Sequence, residues 1–193
     1  MNRLRVLMAV AALLLSACAS LPERAAAPQR YDFGPPAPPA AVAAQRPALG
    51  LRVQASPALE GTAMLYRLAY ADAQQLRAYT QSRWVMAPAD LLAQRLRSGL
   101  GPQYTLPPDG EGASRVLHVT LEEFSQIYTA PEQSHGLLRL RVSLLQGERL
   151  LAQRELQLQR PAARADAAAG VQALGASADE AVAELVRWIA ESR

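Results

Sequence analysis

The sequence has no lysine, a single cysteine and only two histidines. Because Cys18 has no second cysteine to pair with, a disulfide within the chain and a cysteine-rich zinc site are both excluded. His118 and His135 lie outside any H-E-x-x-H pattern, and the chain contains no P-loop, no G-x-G-x-x-G and no G-x-S-x-G turn. We therefore predict no catalytic residue, no cofactor site and no metal site, and we do not expect an enzyme.

The remaining titratable candidates are weak on spacing. His118 falls inside a predicted strand and is interpreted as an ordinary residue on a sheet face, while His135 stands at a strand entrance and is expected to be solvated. Glu122 and Glu123 form a carboxylate pair, but neighbouring residues of a regular strand point to opposite faces. The two carboxylates are therefore not expected to flank one bond as the acid pair of a glycosidase does.

Beyond the N-terminus, no segment reaches the roughly 18 to 20 apolar residues that a membrane-spanning helix needs. The chain opens with MNRLRVLMAVAALLLSACAS, in which Arg3 and Arg5 precede an apolar run over 7–15, as in a secretory signal. The run ends in Leu-Ser-Ala-Cys, which resembles the bacterial lipobox. That resemblance implies a signal peptide over 1–17, cleavage before Cys18 and acylation of this cysteine, with palmitate among the chains.

Acylation would anchor the protein to a membrane without spanning it, since each buried methylene contributes about 0.8 kcal/mol. An aspartate after the cysteine often retains such proteins in the inner membrane, and here Ala19 stands at that position. The resemblance therefore implies a lipid-anchored protein of the outer membrane that faces the periplasm. The alternative is an ordinary cleaved signal peptide with a cysteine placed there by chance.

The charge balance argues against nucleic acid as a partner. The full chain has 20 basic and 17 acidic residues, and loss of Arg3 and Arg5 with the signal peptide leaves 18 against 17. A protein that binds nucleic acid needs a basic footprint, and a net charge near +1 supplies none.

The rest of the chain divides into a tether over 18–47 and a body over 48–193. The tether is rich in alanine and proline, cannot bury a core and is typical of an extended linker. One island within it, Tyr31-Asp32-Phe33, carries two aromatic residues and is predicted to form a short strand that docks on the body.

Residue periodicity in the body predicts strands and helices. Alternating apolar residues predict strands near 49–56, 62–70, 76–85, 114–128, 136–145 and 150–159. Phe124 breaks the alternation of the fourth of these, so we expect a bulge near Glu122-Glu123. In the last strand, Leu150, Ala152, Leu156 and Leu158 are expected to share a face.

Two helices complete the predicted fold. Pro88 and Gly101 bracket a helix of about 13 residues, and an S-x-x-E capping box at Ser177 predicts a second from Ala178 to about Ser192. The alanine-rich stretch over 160–176 could be a loop or a short helix. We therefore predict an α+β fold with a single domain, in which two α-helices pack on one face of an antiparallel β-sheet.

Arginine mixed with aromatic residues between Met64 and Leu96 could mark a recognition surface or ordinary core. Trp84 precedes the start of the first helix and is predicted to be a core anchor where sheet meets helix. Arg77, Tyr79 and Arg83 share one parity on their strand, and this row is the part that keeps the character of a recognition surface.

Several motifs, taken in order, resemble those of ABC-type transport auxiliary lipoproteins, the family related to paraquat-inducible protein C. They are the lipobox, a short tether, the aromatic strand at YDFGP, the block LYRLAYADAQQLRAYTQSRWVMAPADLLAQRLRSGL, the strand LHVTLEEFSQIY, a hairpin and a terminal helix with tryptophan. Each motif alone is weak, and their order is the specific signal. The stretch over 160–176 matches no motif of the family.

The resemblance implies a role beside a permease, an ATPase and a mammalian-cell-entry (MCE) domain protein, which together move phospholipid or other hydrophobic compounds between the inner and outer membranes. The lipoprotein would dock the MCE protein, and the family supplies no catalytic residues. A homo-oligomer is neither required nor excluded by the residues. The alternative is an envelope lipoprotein that binds lipid or glycan directly or assists outer-membrane protein assembly.

Overall fold

The computed structural model describes residues 26–36 and 41–192, and the predicted signal peptide and Cys18 lie outside them. Within these residues the chain forms seven strands and two α-helices. In chain order they are β1 (Gln29–Tyr31), β2 (Leu49–Ala55), β3 (Ala63–Leu68), β4 (Asp72–Trp84), α1 (Pro88–Leu100), β5 (Arg115–Ala130), β6 (Gln133–Gln146), β7 (Arg149–Pro161) and α2 (Ala167–Glu191). Each predicted strand is present, and the strand expected at 31–33 forms two residues earlier.

All seven strands belong to one sheet, in the order β1-β4-β3-β5-β6-β7, with β2 also beside β5. The hairpin β3–β4 and the meander β5–β6–β7 are antiparallel. In contrast to the expected all-antiparallel sheet, β1 pairs with β4 in parallel, and β2 and β3 both pair with β5 in parallel. This happens because the short 3₁₀ turn at Pro57–Leu59 does not reverse the chain, so β2 and β3 follow one another along the same side of β5.

The predicted bulge in β5 is confirmed. Leu121 pairs with Leu140 and Glu123 with Arg139, so Glu122 is the extra residue of β5. The bulge lies where the neighbouring strand changes, since β2 pairs with β5 up to Leu121 and β3 pairs from Ser125 onward. The irregularity therefore lets one long strand keep its apolar side on the core while it passes from one partner to the next.

Both helices cover the same face of the sheet, and a single apolar core lies between them and the strands. Helix α1 has the predicted bounds, with Pro88 in its first turn and Leu91, Leu92, Leu96 and Leu100 buried. The opposite face of the sheet is open and carries charged side chains of β5 and β6. None of the described helices combines the length and apolarity that crossing a bilayer would take.

Helix α2 begins at Ala167 and not at Ala178 as predicted. Asp166 is its N-cap, and its carboxylate accepts a hydrogen bond from the Ala169 amide at 2.8 Å. Ser177, the predicted cap, is buried in mid-helix and donates to the Ala173 carbonyl at 3.1 Å. The alanine-rich stretch is thus the first half of α2, where small residues replace the alternation of large apolar and polar residues by which amphipathic helices are recognised.

Those small residues bring α2 close to the sheet. A Cβ added to Gly136 of β6 would lie 2.8 Å from the Leu174 amide nitrogen, and one added to Gly170 would collide with the Gln126 side chain. Between the helices, a Cβ on Gly99 would collide with Val182. The close approach of α2 to both β6 and α1 therefore requires residues without side chains at these points.

The prediction that Leu150 shares a face with Ala152, Leu156 and Leu158 was wrong. Leu144 pairs with Ala152 and Leu145 with Leu150, so Leu151 is an extra residue that shifts the phase of β7. Leu150 is consequently 52% exposed, whereas Leu156 and Leu158, beyond the shift, are buried as expected.

Candidate interaction surfaces

The segment from Ala26 to Pro36, here called the strap, joins the predicted anchor region to the body. Its strand β1 pairs in parallel with the end of β4, and the Val85 amide donates to the Tyr31 carbonyl at 2.9 Å. Beyond β1 the strap turns, with Gly34 at a φ of +67° and its amide bound to the Asp32 carboxylate at 2.8 Å. The strap thus extends one edge of the sheet and then passes over towards α1.

Arg95 of α1 holds the strap in place. The side chain is only 6% exposed, and its guanidinium donates to three carbonyl oxygens of the strap, those of Phe33 at 2.5 Å, Gly34 at 3.2 Å and Pro35 at 3.3 Å. Asp179 of α2 lies 3.4 Å from the same guanidinium. One buried arginine therefore connects both helices to the strap, and the planar fork of its donors suits several acceptors at once.

Three aromatic rings, Phe33, Trp84 and Phe124, form an apolar cluster under the strap. The ring centroids of Phe33 and Trp84 are 5.9 Å apart, those of Phe33 and Phe124 are 5.7 Å apart, and those of Trp84 and Phe124 are 5.3 Å apart. Trp84 is 1% exposed, which confirms it as a core anchor. The Arg95 guanidinium carbon lies 5.7 Å from the Phe33 ring centroid, so the arginine also covers this cluster.

A surface groove of about 540 Å³ runs between the strap and α2. Tyr31, Phe33 and Val85 form its apolar part. Arg30 supplies a positive charge, and Asp32 and Asp179 supply negative ones. A second, smaller depression of about 110 Å³ lies on the other side of the strap against α1. We call the larger one the strap groove, and its position beside the segment that leads to Cys18 is its main feature.

A second aromatic group, the tyrosine cluster, consists of Tyr66, Tyr79 and Tyr128. The Tyr66 and Tyr79 ring centroids are 4.6 Å apart, and the Tyr79 and Tyr128 hydroxyls are 2.6 Å apart. Tyr79 also donates to Gln126 Oε1 at 2.9 Å, and the Gln126 amide donates to Ser134 Oγ at 2.8 Å and to the Asp166 carbonyl at 3.2 Å. The cluster thus ends in a hydrogen-bonded network at the start of α2.

Burial in this network changes the acidity of the tyrosines. Burial, followed by the hydrogen bond with Tyr128, raises the pKa of Tyr79 far above its ordinary value, and burial also raises the pKa of Tyr128. Both hydroxyls therefore stay protonated and available for hydrogen bonds across the neutral range.

The predicted row of Arg77, Tyr79 and Arg83 does not form a common surface. Ala63 pairs with Arg83 but Leu65 pairs with Ala78, so β4 holds extra residues between these pairs and its phase changes. Tyr79 consequently packs in the tyrosine cluster, while the Arg83 side chain donates to the Tyr79 and Ser82 carbonyls. The alternation rule failed here because the register jump cannot be read from residue types.

The same limit applies to the glutamate pair. The bulge places both carboxylates on the open face, where Glu122 lies 2.9 Å from Arg141 and Glu123 lies 3.4 Å from Arg67. The expectation that they point to opposite faces was therefore wrong. Each carboxylate is held in its own ion pair with a different strand, an arrangement that stabilises strand pairing.

The histidines lie apart from each other in the sheet. His118 of β5 lies opposite Arg52 of β2 on the open face, and burial together with that arginine lowers its pKa. His135 is half-buried within β6 and not solvated as expected, and burial lowers its pKa. Among residues 26–36 and 41–192, no three His, Cys, Asp or Glu side chains converge to hold a metal ion.

Arg95 is the functional candidate that sequence reasoning missed, although a signal was present. It lies three and four positions after Leu92 and Leu91 and immediately before Leu96, so it falls within the buried stripe of α1. A charged residue on such a stripe is expected only with a buried partner.

The family described as ABC-type transport auxiliary lipoprotein component matches residues 31–190, from the strap to the last turn of α2. A crystal structure of a Xanthomonas campestris protein has a TM-score of 0.68 and 18% identity, and the match covers 83% of this chain and 94% of that one. Another crystal structure, of an uncharacterized protein, has a TM-score of 0.66 and 16% identity over 84% of this chain and 99% of its own.

At these identities the two structures show a shared fold and nothing more, and no curated protein matches the chain. The family match is broader evidence, because it spans far more than half of the chain and includes the strap, the apolar cluster and both helices. The chain belongs to the family of ABC-type transport auxiliary lipoproteins.

Proposed function

We propose that this protein is an outer-membrane lipoprotein and an accessory component of an ABC-type system that moves phospholipid or other hydrophobic compounds between the inner and outer membranes. Acyl chains on Cys18 hold it on the membrane. Its body receives or positions the MCE-domain protein of the same system. It acts by docking and carries out no chemistry itself.

The observation that carries this proposal is the strap. Residues that follow Cys18 at a short distance are fixed to the body by three hydrogen bonds from a buried arginine, by strand pairing and by the burial of Phe33. A lipid anchor on Cys18 would therefore hold a rigid body close to the membrane. A rigid body on a short linker suits a docking protein, since binding is favoured when one partner is already held in position.

The state of the polar side chains supports a non-catalytic role. Glu122 and Glu123 are both in ion pairs, and the hydroxyl of Tyr79 is bound to Gln126. A general acid or base must reach a substrate proton from within a cleft. These groups instead hold strands to one another and to α2.

Co-purification tests the docking step. The full chain, tagged at its C-terminus and solubilised in detergent, should retain the MCE-domain protein of the proposed system at low and at moderate salt. A lipoprotein of a different envelope system, tagged in the same way, serves as the control. Loss of the MCE protein at both salt concentrations would show that the two do not form a complex.

Membrane fractionation tests the anchor separately. Cys18→Ala should leave the protein out of the outer-membrane fraction, because the acyl chains supply nearly all of the membrane affinity. The unchanged protein should float with that fraction in a density gradient. A Cys18→Ala protein that still floats there would rule out Cys18 as the anchor.

A further inference from the structure

We infer that the strap edge of the body faces the membrane, so that the strap groove lies at the lipid headgroups and the β7 edge points away. This inference rests on the proposed acylation of Cys18. It specifies an orientation that neither the family nor the anchor alone supplies, and it identifies the lipid surface as the partner of the strap groove.

The length of chain between the anchor and the body supports this orientation. Gln29, where β1 begins, is eleven positions after Cys18. At roughly 3.3 to 3.6 Å per residue these positions span at most about 40 Å. The sheet from β1 to β7 is about 24 Å wide at roughly 4.8 Å per strand step. With the β7 edge at the membrane, Gln29 would lie about 24 Å or more from it and would take up more than half of this reach, so the short connection favours the β1 edge at the membrane.

The chemistry of the strap edge fits a headgroup layer. Val85 is 37% exposed, Tyr31 is half-exposed beside it, and Arg30 is exposed next in the chain. Tyrosine with one apolar and one polar end suits the membrane interface, and a basic residue near anionic lipid gains about 1 kcal/mol. Asp32 and Asp179 line the same groove and offset the attraction of Arg30 for anionic lipid. The side chains of Tyr31 and Val85 therefore carry the fit to the headgroup layer.

Arg95 transmits the position of the anchor to the body. If the strap were released, the next described residue with a hydrogen bond to the body would be Ala43, whose amide donates to the Pro102 carbonyl at 2.8 Å. The connection would then run from Cys18 to Ala43 and would be more than twice as long. A connection of that length would no longer favour one edge of the sheet at the membrane. The orientation is therefore a property of the clamped strap and not of the lipid alone.

Two exposed apolar residues at opposite edges allow a direct test, Val85 beside β1 and Leu150 in β7. Val85→Cys and Leu150→Cys are made separately in the full acylated chain, where Cys18 is blocked, and each new thiol carries a polarity-sensitive fluorophore. The proteins are reconstituted in phosphatidylethanolamine–phosphatidylglycerol vesicles with a nitroxide-labelled phospholipid as quencher. We expect the label at 85 to lose fluorescence and the label at 150 to keep it.

A longer linker between Cys18 and β1 provides the matched control. A Gly-Ser insertion of about twelve residues after Ala27 leaves the contacts of Arg95 untouched and should bring quenching at 85 down towards the level at 150. Equal quenching at both positions in the uninserted protein, or stronger quenching at 150, would overturn the orientation while flotation with the vesicles leaves the anchor intact. Failure to float would instead overturn the acylation on which the proposed function depends.

Discussion

The apolar cluster and the tyrosine cluster lie one after the other along the same pair of strands, β4 and β5, on the face covered by the helices. Phe33, Trp84 and Phe124 pack as rings alone, beneath a strap that comes from a distant part of the chain. The tyrosine cluster is tied instead by hydroxyl hydrogen bonds to Gln126 and, through it, to the start of α2. The apolar cluster is held together by burial, and the tyrosine cluster is held together by hydrogen bonds.

This difference indicates that the apolar cluster is suited to attaching the strap and the tyrosine cluster to fixing strand register. Burial of aromatic rings is strong and tolerant of direction, so it suits a segment that leads, on the proposed function, to a membrane anchor. A hydrogen-bonded network depends on orientation and fixes the register of β3, β4 and β5 against α2. Substitutions should therefore affect the two clusters by different amounts and through different observables.

The largest expected effect is at the apolar cluster. Trp84→Ala should lower the free energy of unfolding by about 3–5 kcal/mol, because it leaves a cavity under the strap beside Phe33 and Phe124. Tyr66→Ala, in the half-exposed part of the tyrosine cluster, should cost clearly less. Urea denaturation of the chain from Ala26 onward measures both, and a larger loss for Tyr66→Ala would reverse the assignment of the two clusters.

Removal of the Arg95 hydrogen bonds to the strap should have the second-largest effect on stability. Arg95→Ala should cost about 2–3 kcal/mol, since three strap carbonyls lose a charged donor, and it should free the strap before the rest of the body unfolds. Hydrogen exchange at the amides of Val85 and Gly34 should accelerate selectively. Arg97→Ala, which removes an exposed arginine from the same helix, should leave both the stability and the exchange rates unchanged.

Most of the strands and α1 could be predicted because their residues alternate or repeat at helical spacing. The bulge at Glu122 could be predicted too, since Phe124 visibly breaks the alternation of β5. The extra residues of β4 could not, because nothing in the residue types marks where Arg83 and Ala78 find their partners. As a result the predicted recognition row was wrong, and Tyr79 belongs to the core side.

The contacts between Arg95 and the strap could not be predicted from the sequence for a related reason. The contacts of Arg95 join residues about sixty positions apart in the chain, and only the folded body brings them together. The start of α2 was missed because its first half is built of alanine and glycine, whose value lies in close approach to β6 and not in a periodic pattern. Sequence pattern reports local structure well, and it reports pairing between distant segments poorly.

Glycine substitutions in α2 sharpen the comparison at the tyrosine cluster. Gly170→Ala should destabilise the protein by about 1–3 kcal/mol, although alanine normally favours a helix, because the new methyl group would displace Gln126 and break its bond with Tyr79. Gly175→Ala is the control, since a Cβ there meets only ordinary contacts at 3.8 and 4.0 Å. The control should gain roughly 0.5–1 kcal/mol, and denaturation curves that show the same sign for both variants would contradict the proposed packing.

The smallest effect concerns pH. Because the pKa of Tyr79 is raised in the folded protein, between the ordinary tyrosine value near 10 and that raised value the folded state holds a proton that the unfolded state has lost. The stability that this proton contributes is therefore fully present below pH 10 and falls as the pH rises above it.

Tyr79→Phe should cost about 1 kcal/mol at neutral pH through its lost hydrogen bonds, and it should make the fall above pH 10 shallower. Tyr104→Phe, which removes another buried hydroxyl outside the cluster, should keep most of the fall. Unfolding midpoints measured from pH 8 to about 11 separate the two, and equal slopes for Tyr79→Phe and the unchanged protein would place the alkaline sensitivity outside the tyrosine cluster.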